Sequence, residues 1–393
     1  MALQGMNRKI DGLHSFVPLQ GIPQQHLEFL LDKASSYFVL KGASVETDQF
    51  GSEVIVYLYS GEVEITYPNG ELQNVNANTN LLPLAYQAQS TVKLTAVSDS
   101  ELLIFPVDDL RKQLCWSQMA EFQRVQIAGD PTRDEDAEWI NFILDSNLFF
   151  KVPPTNVADI FSKLTPKVVS AGDVIVRQGE IGNACFFIKE GRARVDIYDP
   201  MTQISATVAE IAAGRCFGED ALVNKTKRNA TVTMIENGVL MCLAKDDFLP
   251  LMEEESSPKV ELKYLLPLIR GLSEAKSAEE STKILVDVRT SPEYEVSHLR
   301  NAVNISLDLL PLHLPRLDTS AEYVFYSDTG FRSDAAALVL SKLGYKAMSL
   351  AGGFKKVLSK CLVNPEWQKL ISDQSYWLRG GQVVADQSSA TIK

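Results

Sequence analysis

The chain has 393 residues, enough for two or three domains that each bury a core. Its 38 basic against 50 acidic residues leave a net charge of -12, which argues against broad attraction to nucleic acid. A composition of 45% hydrophobic and 22% charged residues argues against a disordered or fibrous protein.

Five scattered cysteines, Cys115, Cys185, Cys216, Cys242 and Cys361, lack Cys-x-x-Cys spacing, and the histidines at 14, 26, 298 and 313 are equally dispersed. Neither a disulfide framework nor a metal centre is signalled, so no metal and no cofactor is expected. Residues 1–12 have no apolar core of signal-peptide length, and no later run approaches about eighteen apolar residues. These features predict a cytoplasmic protein without membrane insertion.

Residues 13–110 make sense beside residues 143–250. Ile22-Pro23 aligns with Val152-Pro153, Gly42 with Gly172 and Gly61 with Gly191, each pair 130 positions apart. A fixed offset of this kind indicates an internal duplication. In each copy a short helix (23–33; 154–163) precedes alternating strands such as Val54-Ile55-Val56-Tyr57-Leu58 and Ala184-Cys185-Phe186-Phe187-Ile188, with a glycine turn after them. That pattern predicts a β-barrel or jelly roll. The offset then becomes 138, because Leu94-Thr95-Ala96-Val97 best matches Val232-Thr233-Met234-Ile235. The first copy is therefore eight residues shorter here, and carries Leu81-Leu82-Pro83-Leu84-Ala85-Tyr86-Gln87 instead.

Between the copies, residues 107–144 are rich in helix formers, with Leu110, Leu114, Met119, Phe122, Val125 and Ile127 at roughly helical spacing. Gly129-Asp130-Pro131 breaks the pattern, and a second helix is expected from about Arg133.

The segment present only in the second copy reads Phe217-Gly218-Glu219-Asp220-Ala221-Leu222, then a short loop, then Arg228-Asn229-Ala230-Thr231-Val232. Gly218 lets the backbone come close to a ligand, and the following residues can open a helix whose free N–H groups suit an anion. Arg228 offers a planar fork of donors suited to a phosphate. A Gly-Glu pair and an arginine alone would equally fit a strand, a turn and a surface salt bridge. Six matched positions at fixed spacing weigh against that. The stretch resembles the phosphate-binding cassette of the cyclic nucleotide-binding domain family, Phe-Gly-Glu-x-Ala-Leu followed by Arg-x-Ala-x-Val. The resemblance implies that Glu219 takes the ribose 2′-hydroxyl, Arg228 the cyclic phosphate, and backbone N–H groups near Gly218 and Ala221 its other oxygen. Phe217, Asp220, Leu222, Asn229 and Ala230 complete the expected ligand-binding set. The ligand expected is cAMP, with cGMP as the alternative. The first copy, without this segment, is expected to keep the fold and lack the ligand site, in a structural or interaction role; the alternative is a pocket for some other apolar ligand near Pro83 and Tyr86.

Beyond the second copy, residues 245–251 and 260–272 are expected to be helical, with 277–282 as a linker. Ile284-Leu285-Val286-Asp287-Val288-Arg289 and Tyr323-Val324-Phe325-Tyr326 read as buried strands, with a helix over 333–343 and a further strand and turn at Met348-Ser349-Leu350-Ala351-Gly352-Gly353. Strands alternating with helices imply a parallel α/β sheet. Residues 275–375 resemble the rhodanese-like family, whose loop reads Cys-x-x-Gly-x-Arg-Ser. Here it is Ser327-Asp328-Thr329-Gly330-Phe331-Arg332-Ser333, with serine in place of the nucleophile. A serine hydroxyl without a general base is a poor nucleophile and cannot carry a persulfide. Ser327, Gly330, Arg332 and Ser333 are thus expected to form a degenerate loop, and no catalytic residue is expected. His298 and Arg289 fit ordinary frame positions, and the tail after Trp377 is expected to be loose.

The expected fold is multidomain: two jelly-roll cyclic nucleotide-binding domains with flanking helices, then an α/β rhodanese-like domain. Expected boundaries are 10–128 for the degenerate copy, 133–258 for the intact one, 259–282 for a helix and linker, and 283–375 for the inactive rhodanese-like domain. The expected function, of the bacterial cAMP-binding regulatory type, is non-enzymatic signalling: ligand in the second copy changes the domain arrangement and so regulates a protein partner, without contact to DNA. Two alternatives are a sulfurtransferase using a non-cysteine loop and a ligand-independent scaffold.

Overall fold

The computed structural model describes residues 10–51, 53–85, 91–128, 141, 144, 152–253, 255–274, 283–361, 363–372, 376–379 and 382–385. The chain divides into two compact units, Met1–Gln118 with Ser256–Lys393, and Met119–Glu255. The helix expected from Arg133, the linker at 277–282 and the pair Tyr86-Gln87 lie outside the described residues.

In the first unit, helix α1 (Gln24–Lys33) leads into strands β1 (Ser35–Val39), β2 (Ser44–Glu46), β3 (Val54–Ser60), β4 (Glu62–Thr66), β5 (Leu72–Asn76), β6 (Lys93–Ala96) and β7 (Ser100–Pro106), followed by helix α2 (Val107–Ala128). The strands form two antiparallel sheets, β1-β7-β3 and β2-β6-β4-β5. The period-2 alternation of side chains decides what each face covers. Val56 and Leu58 of β3 join Leu102 and Ile104 of β7, and Val63 and Ile65 of the other sheet, in one apolar cluster. Tyr57, Leu103 and Phe105, of opposite parity, pack with Leu27 and Leu30 of α1 and Leu110 and Leu114 of α2. A strand covered on both faces reads as a continuous apolar run, as 54–58 does.

The second unit contains α3 (Val157–Lys163), β8 (Thr165–Val169), β9 (Val174–Val176), β10 (Ala184–Glu190), β11 (Arg192–Asp199), β12 (Ile204–Ala212), β13 (Cys216–Phe217), α4 (Glu219–Val223), β14 (Thr231–Met234), β15 (Gly238–Ala244) and α5 (Lys245–Phe248). Its sheets run β13-β10-β15-β8 and β12-β11-β14-β9 around a core of Phe186, Ile188, Phe217, Val232, Met234 and Leu240. Strands β8 to β11 start 130 positions after β1 to β4, while β14 and β15 start 138 positions after β6 and β7. The additional segment holds β13 and α4. Between β5 and β6 the described residues contain no regular element.

The remainder of the first unit contains β16 (Lys259–Val260), α6 (Leu265–Glu274), β17 (Lys283–Asp287), α7 (Ser291–Val296), β18 (His298–Leu299), β19 (Val303–Asn304), α8 (Leu310–His313), β20 (Glu322–Tyr326), α9 (Phe331–Lys342), β21 (Lys346–Leu350), α10 (Gly353–Cys361), α11 (Pro365–Gln368) and β22 (Ile371–Ser372). A parallel sheet runs β16-β21-β20-β17-β19. Leu285, Val324, Tyr326 and Leu350 pack on Leu265 and Ile269 of α6 and on Phe354 and Val357 of α10.

Two local expectations change. The helix expected from Val260 starts at Leu265, because Lys259 and Val260 pair with Ser349 and Leu350 as an edge strand. Side-chain anchors hold that strand: Ser257 Oγ donates to Asp334 Oδ1 at 2.6 Å and lies 2.9 Å from Ser349 Oγ, and Lys259 pairs with Asp334. The tail expected to be loose contains a hairpin, β23 (Tyr376–Arg379) with β24 (Gln382–Ala385). Among the described residues no helix is long and apolar enough to cross a membrane, and no group of three or more His, Cys, Asp or Glu side chains is arranged to hold a metal.

Candidate functional site

The segment 217–230 is positioned by strand β10. Phe217 pairs with Phe186 and Cys216 with Phe187, and the Phe186 and Phe217 rings stack at 5.4 Å inside the core. Gly218 then takes the left-handed conformation, φ 88°, which ends β13 and opens α4. Ala221 and Leu222 are buried, so the helix is fastened by its apolar side. Glu219 is half-buried and Asp220 exposed. The Cys216 Sγ lies 3.7 Å from Glu219 Oε2. Burial, with Cys185 and Glu219 adjoining, pushes the Cys216 thiol well above its ordinary pKa, so it stays a neutral neighbour of that carboxylate.

Arg228 is pinned first by its backbone. Its N–H donates to Glu180 O at 2.8 Å and its carbonyl accepts from Gly179 N at 2.9 Å. Arg228 is 6% exposed, with Nη1 donating to Gly218 O and Nη2 to Ala184 O, each at 2.5 Å. Burial lowers its pKa, opposed by nearby Cys185, Glu219 and Glu180, and an arginine keeps its charge under such shifts. The guanidinium lies between two glycines: a Cβ on Gly218 would stand 2.5 Å from Nη1, and one on Gly182 2.8 Å from Cζ. Asn229 is exposed and Ala230 half-buried, directly before β14. The structure therefore brings Phe217–Leu222 and 228–230 together at the start of β10. Gly182, Ala184 and Glu180 belong to the same site and carried no signal in the sequence, because their contacts with Arg228 span more than forty positions.

The second expected group sits at the carboxyl end of β20. Ser327 is fully buried, and its Oγ accepts from Gly330 N at 3.2 Å and Ser333 N at 3.4 Å. Gly330, φ 117°, forms the N-cap of α9. Gly353 packs against the loop: a Cβ there would lie 2.6 Å from Ser327 O and 2.7 Å from Asp328 O. Phe354 N and Lys355 N donate to those same two carbonyls at 2.8 Å. Arg332 forms two 2.7 Å bonds to the Glu293 carboxylate, both side chains 2% exposed, and a 3.4 Å bond to Asp328. Burial alone would raise Glu293, but the Arg332 charge and hydrogen bonds, with Arg289, hold it at about 2. The fork of Arg332 is thus occupied by Glu293. Arg289 is likewise engaged by Asp287, Nη2 to Oδ2 at 2.6 Å, and His298 Nδ1 lies 2.8 Å from Tyr294 O. The partners Glu293 and Asp287 act across the frame as charge balances for the two arginines.

Residues 166–255 match the cyclic nucleotide-binding domain family, and residues 272–360 match the rhodanese-like domain family. Among curated relatives, the chain is 38% identical over 113 residues to a cyclic nucleotide-gated potassium channel of Rhizobium etli, an alignment covering 29% of each chain. It is 35% identical over 109 residues to cyclic nucleotide-gated channel alpha-2 of Bos taurus, covering 26% of this chain and 16% of the channel. The match thus spans under a third of these relatives. Among solved structures, the catabolite activator protein of Thermus thermophilus is 27% identical over 27% of this chain and 49% of its own, with a TM-score of 0.24. The chain carries a cyclic nucleotide-binding domain followed by a rhodanese-like domain.

Proposed function

We propose that the chain is a non-catalytic signalling protein that binds one cyclic nucleotide, cAMP in preference to cGMP, in the second unit, and transmits occupancy to a protein partner through the rhodanese-like domain. The observation that carries this reading is the buried guanidinium of Arg228 beside Glu219, held at the Gly218 turn within the matched family segment. A cyclic phosphate is a better acceptor for that fork than two neutral carbonyls. Glu219, half-exposed at the same turn, accepts a ribose hydroxyl on this reading, and the buried Phe217, Ala221 and Leu222 support it by fastening the turn to the core. On this reading the first set of antiparallel sheets is a copy without the cassette. Ligand would reposition the helical residues after β15, and it shifts that equilibrium only by its differential affinity for the two arrangements.

The rhodanese-like loop is proposed to dock rather than react. Its Ser327 hydroxyl is buried under Gly353 and accepts both loop N–H groups, and Arg332 is engaged by Glu293.

Calorimetric titration with cAMP and cGMP tests the central claim. Micromolar binding at one site per chain is expected, and Arg228→Ala is expected to weaken it roughly 10- to 100-fold through loss of charge-assisted hydrogen bonds. Unchanged affinity in the variant would overturn the cassette assignment. Thiosulfate-to-cyanide turnover above background, abolished by Arg332→Ala, would instead establish the sulfurtransferase reading.

A further inference from the structure

The first unit holds a cavity of about 550 Å³, lined by the β2–β3 and β5–β6 connections, by α2 and by the Ser327 loop with α10. That volume is in the range of small-molecule sites. Its apolar wall includes Val56, Leu84 and Phe354. Facing them are charged groups whose balance can be followed pair by pair. Arg289 is matched by Asp287, and Arg332 by Glu293. Asp328 faces Arg332 at 3.4 Å and Arg111 Nε at 3.5 Å, and Arg111 Nη1 lies 4.0 Å from the exposed Asp108 carboxylate. The Arg111 side chain is 12% exposed, and its Nε is buried without a hydrogen-bond acceptor. Lys355 lines the cavity and makes no ion pair among the described residues, while Asp48 is exposed. A buried guanidinium donor short of a hydrogen-bond acceptor, an exposed ammonium at the mouth and an apolar wall describe one kind of ligand.

We propose that this cavity binds a small organic anion, a carboxylate or phosphate monoester on a short apolar body, with its head group at Arg111 Nε and Lys355 and its body against Leu84 and Phe354. The site is composite: Arg111 and Leu84 come from the antiparallel-sheet part of the unit, Lys355 and Phe354 from the parallel-sheet part. It does not rest on the cassette reading, since all of its residues lie outside Met119–Glu255. A ligand oxygen would give Arg111 the acceptor that Asp328 does not supply, and would complete the contact between the Ser327 loop and α2.

The test is calorimetry on the full chain with octanoate, octyl phosphate and octanol as probes. Saturable binding of one of the anions, at least about tenfold tighter than octanol, is expected, and the better anion identifies the head group. Arg111→Gln and, separately, the exposed Lys355→Gln are each expected to weaken that anion about tenfold or more, with thermal melting used to verify folding. Thr91→Trp, at an exposed position on the cavity wall, is expected to block binding sterically while cAMP affinity stays unchanged. Failure of both anions to saturate, equal binding of octanol, or full affinity in Lys355→Gln would overturn the proposal. Competition of cAMP with the anion would also overturn it, since that would place both in one site.

Discussion

At Arg228 the geometry separates the cost of a substitution from its effect on binding. A methyl group on Gly182 would meet first the far end of the Arg228 side chain, with Cζ at 2.8 Å and Nε and Nη1 at 3.1 Å. Gly182→Ala is therefore expected to displace the guanidinium from its two carbonyl bonds, lowering the melting temperature less than Gly218→Ala does and weakening cyclic nucleotide affinity roughly tenfold. Calorimetry and melting measured on the same preparation check this, and intact affinity would show that Arg228 does not hold the phosphate. Gly218→Ala differs in kind: with φ at 88° the backbone itself is strained by a side chain, so both stability and affinity should fall. Glu219 and Arg228 were readable from their motif. Their neighbour Gly182 was not, because nothing within its own stretch of chain distinguishes a turn glycine from one that makes room for a guanidinium.

At the scale of the elements, a buried ion pair adds to the backbone bonds that hold the Ser327 loop. With Glu293 lowered to about 2 from 4.5 by Arg332, Arg289 and the Thr290 N–H, its ionisation makes stability depend on pH by about 3 kcal/mol. The folded pKa is depressed, so this contribution is fully present above the unfolded value and is lost as pH falls from about 4.5 toward 2. Arg332→Met leaves the carboxylate buried and unmatched, and is expected to cost about 3–5 kcal/mol. The double variant Glu293→Gln/Arg332→Met should recover part of that loss and should lose less stability than the wild type between pH 5 and pH 3. Urea unfolding across this window measures it, and an identical pH slope in the double variant would show that the pair does not govern the loop. The sequence showed Arg332 within its motif. It did not show that Glu293, 39 positions earlier, would take up the arginine's fork.

For the whole molecule, the proposed function predicts that ligand stabilises only the part of the chain that binds it. At a free concentration about 100 times Kd, cAMP should add roughly 2.7 kcal/mol to the unfolding free energy of the second unit. Hydrogen exchange should slow over 184–231. Exchange over 245–252 should change as well if those helical residues transmit occupancy, and no change there would confine the ligand's effect to the site. Octanoate or octyl phosphate should instead protect the loop 327–333 and residues 107–118 of α2 in the first unit. Two separable protection patterns would distinguish two sites from one.

Local information in the chain was sufficient for several features. Alternating apolar runs specify strands, glycine turns separate them, and the repeated spacing and the two motifs mark the Gly218 turn and the Ser327 loop. Those features depend on neighbours a few residues apart. Tertiary structure decided the rest, because it depends on groups far apart in sequence. Lys259 and Val260 became an edge strand through an open slot on β21 and the side-chain anchors at Asp334. Arg332 was drawn to Glu293, and Arg228 was enclosed between Gly182 and Gly218. The cavity lined by Arg111 and Lys355 exists only because two parts of the first unit, more than 200 residues apart in sequence, meet there.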